Sequence, residues 1–287
     1  MALARAIGGE VVSADSRQVY RGLDAGTAKP PRDPEGRVEG VFYHLVDCAD
    51  ISEIFDAGRF AALARPLCEK IRALGKTPIV AGGTGLYIRA LLEGLSEMPR
   101  RDEAIRARLQ AEAVEHGRAL LHERLSRLDP AAAEKIPANN IQRVIRALEV
   151  QELTGRPISS FWSRAPGATR AEGCVVLAIR WPAPLLDERI AARAGSMWPG
   201  ILREVRQLVP AVYAGSEPGF QSLGYREAIR CLRGELSEEE GLSRLIQATK
   251  AYAKSQRTWL RHQLAARPIE GGPTGDMLAQ ARSCLAS

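Results

Sequence analysis

The chain has 287 residues, of which 45% are hydrophobic and 26% are charged, a balance that excludes disordered, collagen-like and coiled-coil proteins. The formal net charge of +6 permits an anionic partner without requiring one. No stretch approaches the about 18 consecutive apolar residues of a transmembrane helix, and 1–7 is too short for a signal sequence, so we expect no membrane association. The scattered cysteines contain no C-x-x-C pair, which is typical of a reducing cytoplasm.

Short apolar strands alternate with helical patterns through the first third of the chain. The strand-like runs are 11–13, 42–46 and 78–81, each bounded by Gly, Pro or Asp. Short buried strands separated by helices predict an α/β fold with a parallel sheet covered on both faces. Because ligands of such sheets bind beyond the carboxyl ends of the strands, we expect a site at 14–16 and 82–84.

From about residue 99 the apolar spacing becomes helical, and the third helix of this block ends at Gly155. A strand is predicted again at 174–181 as one more buried strand of the core. We therefore predict the first part of an α/β core at 1–98, an all-helical insertion at 99–172 and the second part of the core with C-terminal helices at 173–262. The last residues, 263–287, lack strong periodicity and predict a loose tail.

Several segments carry residue types suited to chemistry, each with a simpler alternative. Asp15, directly after a strand, suits a general base or a metal ligand, but it could also cap the following turn. The glycines around Thr84 allow backbone N–H groups to approach an anion at a helix N-terminus, or they form a tight strand–helix connection. The loop 26–30 fits a phosphate contact or a simple turn. The basic segment 250–261 suits RNA or a solvated helix face.

The segment Gly75-Lys76-Thr77 is not a Walker A motif. That motif needs a glycine where Lys70 stands, and its lysine follows a strand instead of preceding one.

The ordered set of motifs resembles the bacterial tRNA dimethylallyltransferase family from residue 1 to about residue 262. The matching segments are 15–20, 26–30, 43–47, 82–87, 90–94, 143–149, 224–227, 252–254 and 258–259. The resemblance implies a P-loop-kinase-like α/β core with an all-helical insertion that clasps tRNA. It also implies transfer of a dimethylallyl group from dimethylallyl diphosphate to N6 of adenine 37, next to the anticodon, in tRNAs that read codons starting with U. The implied cofactor is Mg2+, the implied partner is the tRNA anticodon stem-loop, and we expect a cytoplasmic monomer.

The resemblance also implies roles for particular residues. Asp15 matches the catalytic acid that accepts a proton from the adenine amine, Thr84 matches the threonine at the diphosphate, and Arg193 matches the arginine that neutralises the departing diphosphate. The positions that match tRNA-contacting segments are Asp15, Ser16, Arg17, Gln18, Thr84, Arg106, Gln142, Arg143, Val144, Ile145, Arg146, Gln221, Ser222, Leu223, Gly224, Tyr225 and Arg226. The resemblance leaves the metal ligands unknown.

The chain departs from the family at its start, because the first strand and the P-loop of the family have no match. We expect a mis-assigned start or a fragment that binds dimethylallyl diphosphate poorly. Two alternatives follow: a prenyltransferase of free adenine nucleotides, disfavoured by the inserted helices and by Arg106, and a non-catalytic RNA-binding fragment. A nucleotide kinase is a third, but nothing remains to hold ATP.

Overall fold

The computed structural model describes residues 1–95, 98–162, 173–263 and 265–286. The chain divides into two compact units, one formed by Met1–Leu92 with Ala171–Ser287 and the other by Glu93–Arg170. The second unit begins a few residues before the predicted insertion at 99–172. The end of that insertion, 163–172, lies outside the described residues.

The described helices and strands are numbered separately in chain order. The strands are β1 (Gly9–Ser13), β2 (Arg37–Val38), β3 (Val41–His44), β4 (Thr77–Ala81), β5 (Leu177–Arg180) and β6 (Arg267–Glu270). The helices are α1 (Ala2–Ala6), α2 (Ala57–Ala73), α3 (Gly85–Glu93), α4 (Glu103–Glu115), α5 (Arg118–Leu128), α6 (Pro130–Lys135), α7 (Ile141–Thr154), α8 (Ala183–Leu208), α9 (Tyr225–Leu232), α10 (Glu238–Gln263) and α11 (Thr274–Ala286). Among them, no helix is long and apolar enough to cross a membrane.

The main sheet of the first unit has the order β2-β3-β1-β4. β1 runs parallel to β3 and β4, with Val11 opposite Tyr43 and Ile79, whereas β2 is antiparallel to β3. The predicted α/β fold with a parallel sheet is therefore confirmed. The expectation that every strand is buried is wrong for β4, whose terminal residues are exposed. β4 ends the strand order, so the described residues supply a neighbouring strand on one side only.

A buried carboxylate links three elements at the start of this sheet. Glu10 on β1 is 5% exposed. Its Oε2 lies 2.7 Å from Nε2 of His44, and its Oε1 accepts a hydrogen bond of 2.7 Å from Nζ of Lys76. Burial alone would raise the pKa of Glu10. The hydrogen bonds to Lys76 and His44 outweigh this effect and lower the pKa below its usual value of 4.5.

The C-terminal part of the first unit differs from the prediction in two ways. β5 pairs in parallel with β6 in a separate two-stranded sheet, and Ile179 is 58% exposed, so 174–181 is not one more buried strand of the main sheet. The segment 263–287 is not a loose tail, because it contains β6 and α11. Ile269 and Ala281 are buried, and the side-chain amide of Gln280 exchanges hydrogen bonds with the backbone of Glu270. These tertiary contacts order a segment whose own periodicity is weak.

The second unit consists of α4 to α7 packed around an aliphatic core. Leu109, Leu121, Leu125 and Leu148 are each no more than 1% exposed. The helix boundaries follow local signals: Asp129 caps α6 by accepting a 3.0 Å hydrogen bond from the backbone N–H of residue 132, and α7 ends at a left-handed glycine, residue 155, with φ of 68°.

Candidate active site

Two loops meet where β1 and β4 end. The register places Ser13 opposite Ala81. Beyond these residues the N–H of Ala14 donates to the carbonyl of Ala81 at 2.8 Å, and the N–H of Thr84 donates to the carbonyl of Ala14 at 3.2 Å. Gly82 is required at this crossing, because a Cβ there would lie 2.3 Å from the oxygen of Ala14. The structure therefore brings together the two segments predicted to form the site.

The hydroxyl of Thr84 is held by the β1 loop. Its Oγ1 accepts a 3.0 Å hydrogen bond from the N–H of Ser16 and donates to Oγ of Ser16 at 3.2 Å. Asp15 lies one residue away, half-buried, and its Oδ1 accepts a 2.8 Å hydrogen bond from the N–H of Arg17. The turn-capping interpretation of Asp15 is therefore correct for one oxygen. No residue that the structure describes donates to the other oxygen, which is free to accept a proton.

Helix α10 forms a third side of the site, which sequence reasoning missed. Nε2 of Gln256 donates to the carbonyl of Gly83 at 2.8 Å. A Cβ on Gly85 would lie 2.3 Å from Cε3 of Trp259, so the indole lies directly against this glycine. Tyr252 is 45% exposed on the same face. Tyr252, Gln256 and Trp259 follow one another at intervals of four and three residues, a spacing typical of one helix face. This spacing could have identified them from the sequence, but the basic residues of 250–261 obscured it.

The groups around Tyr252 change the pKa of its phenol. Burial and the charge of Asp15 raise the pKa of Tyr252, whereas hydrogen bonds to Gln256 and Thr84 and the charge of Arg17 partly oppose the increase. The phenol is therefore neutral at physiological pH.

Gln18 is buried instead of facing RNA. It is 8% exposed, and its Oε1 accepts hydrogen bonds from Oγ of Ser13 at 3.0 Å and from the hydroxyl of Tyr43 at 3.2 Å. Its Nε2 donates to the carbonyl of Thr27 at 3.3 Å. These bonds use the side chain to connect β1, β3 and the 26–30 loop, so its predicted contact with tRNA is corrected to a structural role.

The loop 26–30 fits the turn interpretation and not the phosphate-binding one. The side chain of Lys29 is 5% exposed and forms ion pairs with Asp24 at 2.8 Å and Asp47 at 2.6 Å. Because both carboxylates already neutralise this ammonium group, it is not available to an external phosphate.

The segment 221–226 divides between buried and exposed side chains. Tyr225 is fully buried; its hydroxyl donates to Oε2 of Glu204 at 2.5 Å and accepts from the N–H of Gly26 at 3.0 Å. Burial and the carboxylate of Glu204 raise the pKa of Tyr225 far above its usual range. Ser222 and Gly224 are also buried and Leu223 is half-buried, whereas Gln221 and Arg226 are exposed. Only the exposed members could therefore contact RNA through their side chains.

A buried carboxylate organises the predicted arginines of the second unit. Glu149 is fully buried and accepts hydrogen bonds from the N–H of Asp102 at 2.6 Å, from Arg146 at 2.8 Å and from Arg106 at 3.2 Å. Arg106 also donates to Oε1 of Gln142 at 2.9 Å. The guanidinium group of Arg106 therefore helps to hold α4 against α7, whereas the ion pair of Arg146 with Glu149 lies within α7.

The remaining predicted positions of α7 separate by face. Val144 and Ile145 are at most 1% exposed in the core of the unit, so their predicted contact with tRNA is wrong for the side chains. The helical period turns them away from Gln142 and Arg143, which are exposed.

Two further predictions concern the role of Arg193 at the diphosphate and the binding of Mg2+. Arg193 is exposed on α8, and within the described ranges its guanidinium has no hydrogen-bond or ion-pair partner. Among the residues that the structure describes, no group of three or more His, Cys, Asp or Glu side chains could hold a metal ion.

Known proteins resemble this chain over almost its whole length. Residues 18–263 match the model of a family described as IPP transferase. A tRNA dimethylallyltransferase of Anaeromyxobacter dehalogenans is 44% identical over 285 residues, covering 99% of this chain and 92% of that protein.

Solved structures agree with this relationship. The tRNA isopentenylpyrophosphate transferase of Bacillus halodurans is 33% identical with a TM-score of 0.69, covering 99% of this chain and 91% of that one. A eukaryotic dimethylallyltransferase described as acting on tRNA is 25% identical with a TM-score of 0.76, covering 98% of this chain and 72% of that one. The chain belongs to the IPP transferase family.

Proposed function

We propose that this protein is a tRNA dimethylallyltransferase, which transfers a dimethylallyl group from dimethylallyl diphosphate to N6 of adenine 37 in tRNAs that read codons starting with U. The observation that carries the proposal is the contact between the Asp15 and Thr84 loops, through the hydrogen bond from the N–H of Ser16 to Oγ1 of Thr84 at 3.0 Å. Membership of the IPP transferase family supports the class of reaction.

The chemistry divides between the two residues. As the adenine N6 forms a bond to C1 of the dimethylallyl group, the C1–O bond breaks and its electron pair leaves with the diphosphate. When the diphosphate binds, Thr84 turns its hydroxyl hydrogen from Oγ of Ser16 to a diphosphate oxygen, an interaction that strengthens as negative charge develops there. The free oxygen of Asp15 accepts the proton that N6 loses. Arg193 is the proposed counter-charge for the departing diphosphate.

The residues that the structure describes do not form a complete Mg2+ site. Asp15 is the carboxylate next to the Thr84 hydroxyl, and Mg2+ binds proteins through one or two carboxylates together with substrate phosphates. A Mg2+ ion that accompanies the reaction would therefore take most of its ligands from the diphosphate, and no step above depends on it.

Recognition of tRNA is assigned to the exposed members of the predicted segments. Gln142, Arg143, Gln221 and Arg226 are exposed and suit contacts with phosphate or sugar. The target adenine must leave the base stack before its N6 can reach C1, as in other enzymes that modify bases. We place this activity in the cytoplasm and assign it to a monomer.

The test measures dimethylallyl transfer by the purified chain. An anticodon stem-loop containing adenine 37 and free AMP are each incubated with dimethylallyl diphosphate, and N6-dimethylallyladenosine is measured by mass spectrometry after digestion. We expect slow transfer to the stem-loop, in keeping with poor binding of dimethylallyl diphosphate, and no transfer to AMP. Asp15→Asn lowers the transfer rate by about 10²-fold or more, whereas Asp276→Asn, at an exposed position, leaves it unchanged. Equal use of AMP, or full activity of Asp15→Asn, contradicts the proposal.

A further inference from the structure

The peptide unit that joins Gly83 to Thr84 has a hydrogen-bond partner at each of its two polar groups. Its N–H, which belongs to Thr84, donates to the carbonyl of Ala14 at 3.2 Å. Its carbonyl, which belongs to Gly83, accepts a 2.8 Å hydrogen bond from Nε2 of Gln256. Because a peptide unit is planar, these two partners together fix the orientation of its plane. The plane contains the backbone nitrogen and Cα of Thr84, so its orientation helps to set the direction of the Thr84 side chain.

Gln256 reaches this peptide unit from a distant part of the chain. It lies in α10, 173 residues after Gly83, and a Cβ on Gly83 would lie 2.4 Å from its Nε2, so the amide lies directly against the backbone. Trp259, three residues further along α10, lies equally close to Gly85. The helix α10 therefore holds the backbone on both sides of Thr84.

We propose that Gln256 is a positioning residue of the transfer reaction, whose amide fixes the peptide unit before Thr84 and thereby places the Thr84 hydroxyl at the diphosphate. The inference rests on the proposed function. Gln256 acts through the backbone and takes no part in the bond changes. The contact of the Thr84 hydroxyl with the diphosphate is strongest in the transition state, when negative charge develops there. A displaced Thr84 therefore lowers kcat more than it raises KM.

The hydrogen bond between Gln256 and Gly83 can be broken from either side, which allows a test by double substitution. Gln256→Ala removes the amide. Gly83→Ala places a Cβ 2.4 Å from Nε2 of Gln256 and pushes the same amide away. Among the described residues other than the chain neighbours of Gly83, only Gln256 has atoms within 4 Å of that Cβ. Once Gln256→Ala is present, Gly83→Ala therefore has nothing further to displace.

Gln263→Ala is the matched control on the same helix. Oε1 of Gln263 accepts a 2.9 Å hydrogen bond from Nη1 of Arg89 in α3, so this variant removes a bond between α10 and α3 that does not involve the peptide unit before Thr84. kcat and KM for dimethylallyl diphosphate and for the stem-loop are measured together with Tm. The exchange rate of the Thr84 amide hydrogen is measured by NMR without substrate.

We expect Gln256→Ala and Gly83→Ala each to lower kcat about tenfold, with both KM values within about twofold of the unaltered chain. The double variant loses no more than Gln256→Ala, because both substitutions act on one bond. Both single variants raise the exchange rate of the Thr84 amide, whereas Gln263→Ala changes neither this rate nor kcat. An unchanged kcat or exchange rate in Gln256→Ala, or a double variant in which the two losses multiply, overturns the inference while the proposed function stands. Absence of transfer by the unaltered chain overturns the proposed function, and with it this inference.

Discussion

Replacing Gly82 by alanine is the most direct perturbation of the contact between the two site loops. A Cβ at this position would lie 2.3 Å from the oxygen and 2.4 Å from the carbonyl carbon of Ala14. Even favourable contacts between carbon and oxygen keep about 3.3 Å, so the loops must separate by roughly 1 Å. Both sides of the contact are backbone, and a rotamer change cannot relieve it.

The magnitude follows from the contacts that this separation breaks. The loops lose the 3.2 Å hydrogen bond from Thr84 to Ala14 and the 3.0 Å bond from Ser16 to Thr84. At about 1 kcal/mol for each bond, together with an overpacking cost of similar size, Gly82→Ala lowers the free energy of unfolding by about 3 kcal/mol. For a chain of this size, Tm then falls by about 6–12 °C. A displacement of about 1 Å at Thr84 lowers the transfer rate about 10²-fold.

Gly83→Ala is the matched control for stability. Its Cβ would lie 2.4 Å from Nε2 of Gln256, which is the end of a flexible side chain and can move. Neither glycine has a positive φ, so alanine introduces no backbone strain at either position. Calorimetry of both variants decides the matter. Equal Tm values for Gly82→Ala and Gly83→Ala would refute the claim that backbone contact holds the loops together.

Three further predictions concern groups around the site. Glu149→Gln removes the charge that pairs with two half-buried arginines and lowers the free energy of unfolding of the second unit by about 1–3 kcal/mol, measured by amide hydrogen exchange in α4 and α7. The pKa of Glu10 is lower in the folded state than in the unfolded state. The Glu10 carboxylate therefore stabilises the fold above about pH 4.5, and this contribution disappears as the pH falls through the folded pKa. Glu10→Gln therefore flattens the acid side of the Tm–pH profile. Arg226→Ala weakens stem-loop binding and lowers the slope of log K against log salt by about one, whereas Tyr225→Phe lowers Tm without changing that slope.

Exposed residues of the same type serve as controls for these predictions. Glu123→Gln removes a surface partner of Arg127, and we expect less than about 1 kcal/mol from it. Glu35→Gln, at an exposed position, leaves the pH profile unchanged. A Glu149→Gln variant as stable as Glu123→Gln, an unaltered acid limb in Glu10→Gln, or a smaller salt slope in Tyr225→Phe contradicts the corresponding prediction.

The sequence predicted the elements whose signals are local. The strand runs and the left-handed Gly155 appear where expected, and parallel strands bring the loops after β1 and β4 together. β6 was missed because it pairs with β5, a strand distant in sequence, and α11 was missed because its order comes from packing against β6 and α1. Tyr252 was missed as a site residue because cations dominate its segment.

The sequence could not separate contact residues from supporting ones within a motif. A motif identifies a segment, but neighbouring side chains point in different directions, as fully buried Tyr225 and exposed Arg226 do. Gln18 and Lys29 look like polar contact residues in isolation. Only the positions of Thr27, Asp24 and Asp47, which depend on the fold, show that both side chains already have partners.

The buried residues fix the positions of the exposed ones. Tyr225, at the start of α9, holds the N–H of Gly26, and a Cβ on that glycine would lie 2.3 Å from the tyrosine ring, so the two positions restrict each other. One residue further, Thr27 accepts a hydrogen bond from Gln18, which lies three residues after Asp15. A continuous set of buried contacts therefore connects the start of α9 to the end of β1. Through it, the distance between the exposed Arg226 and the carboxylate of Asp15 is set by packing.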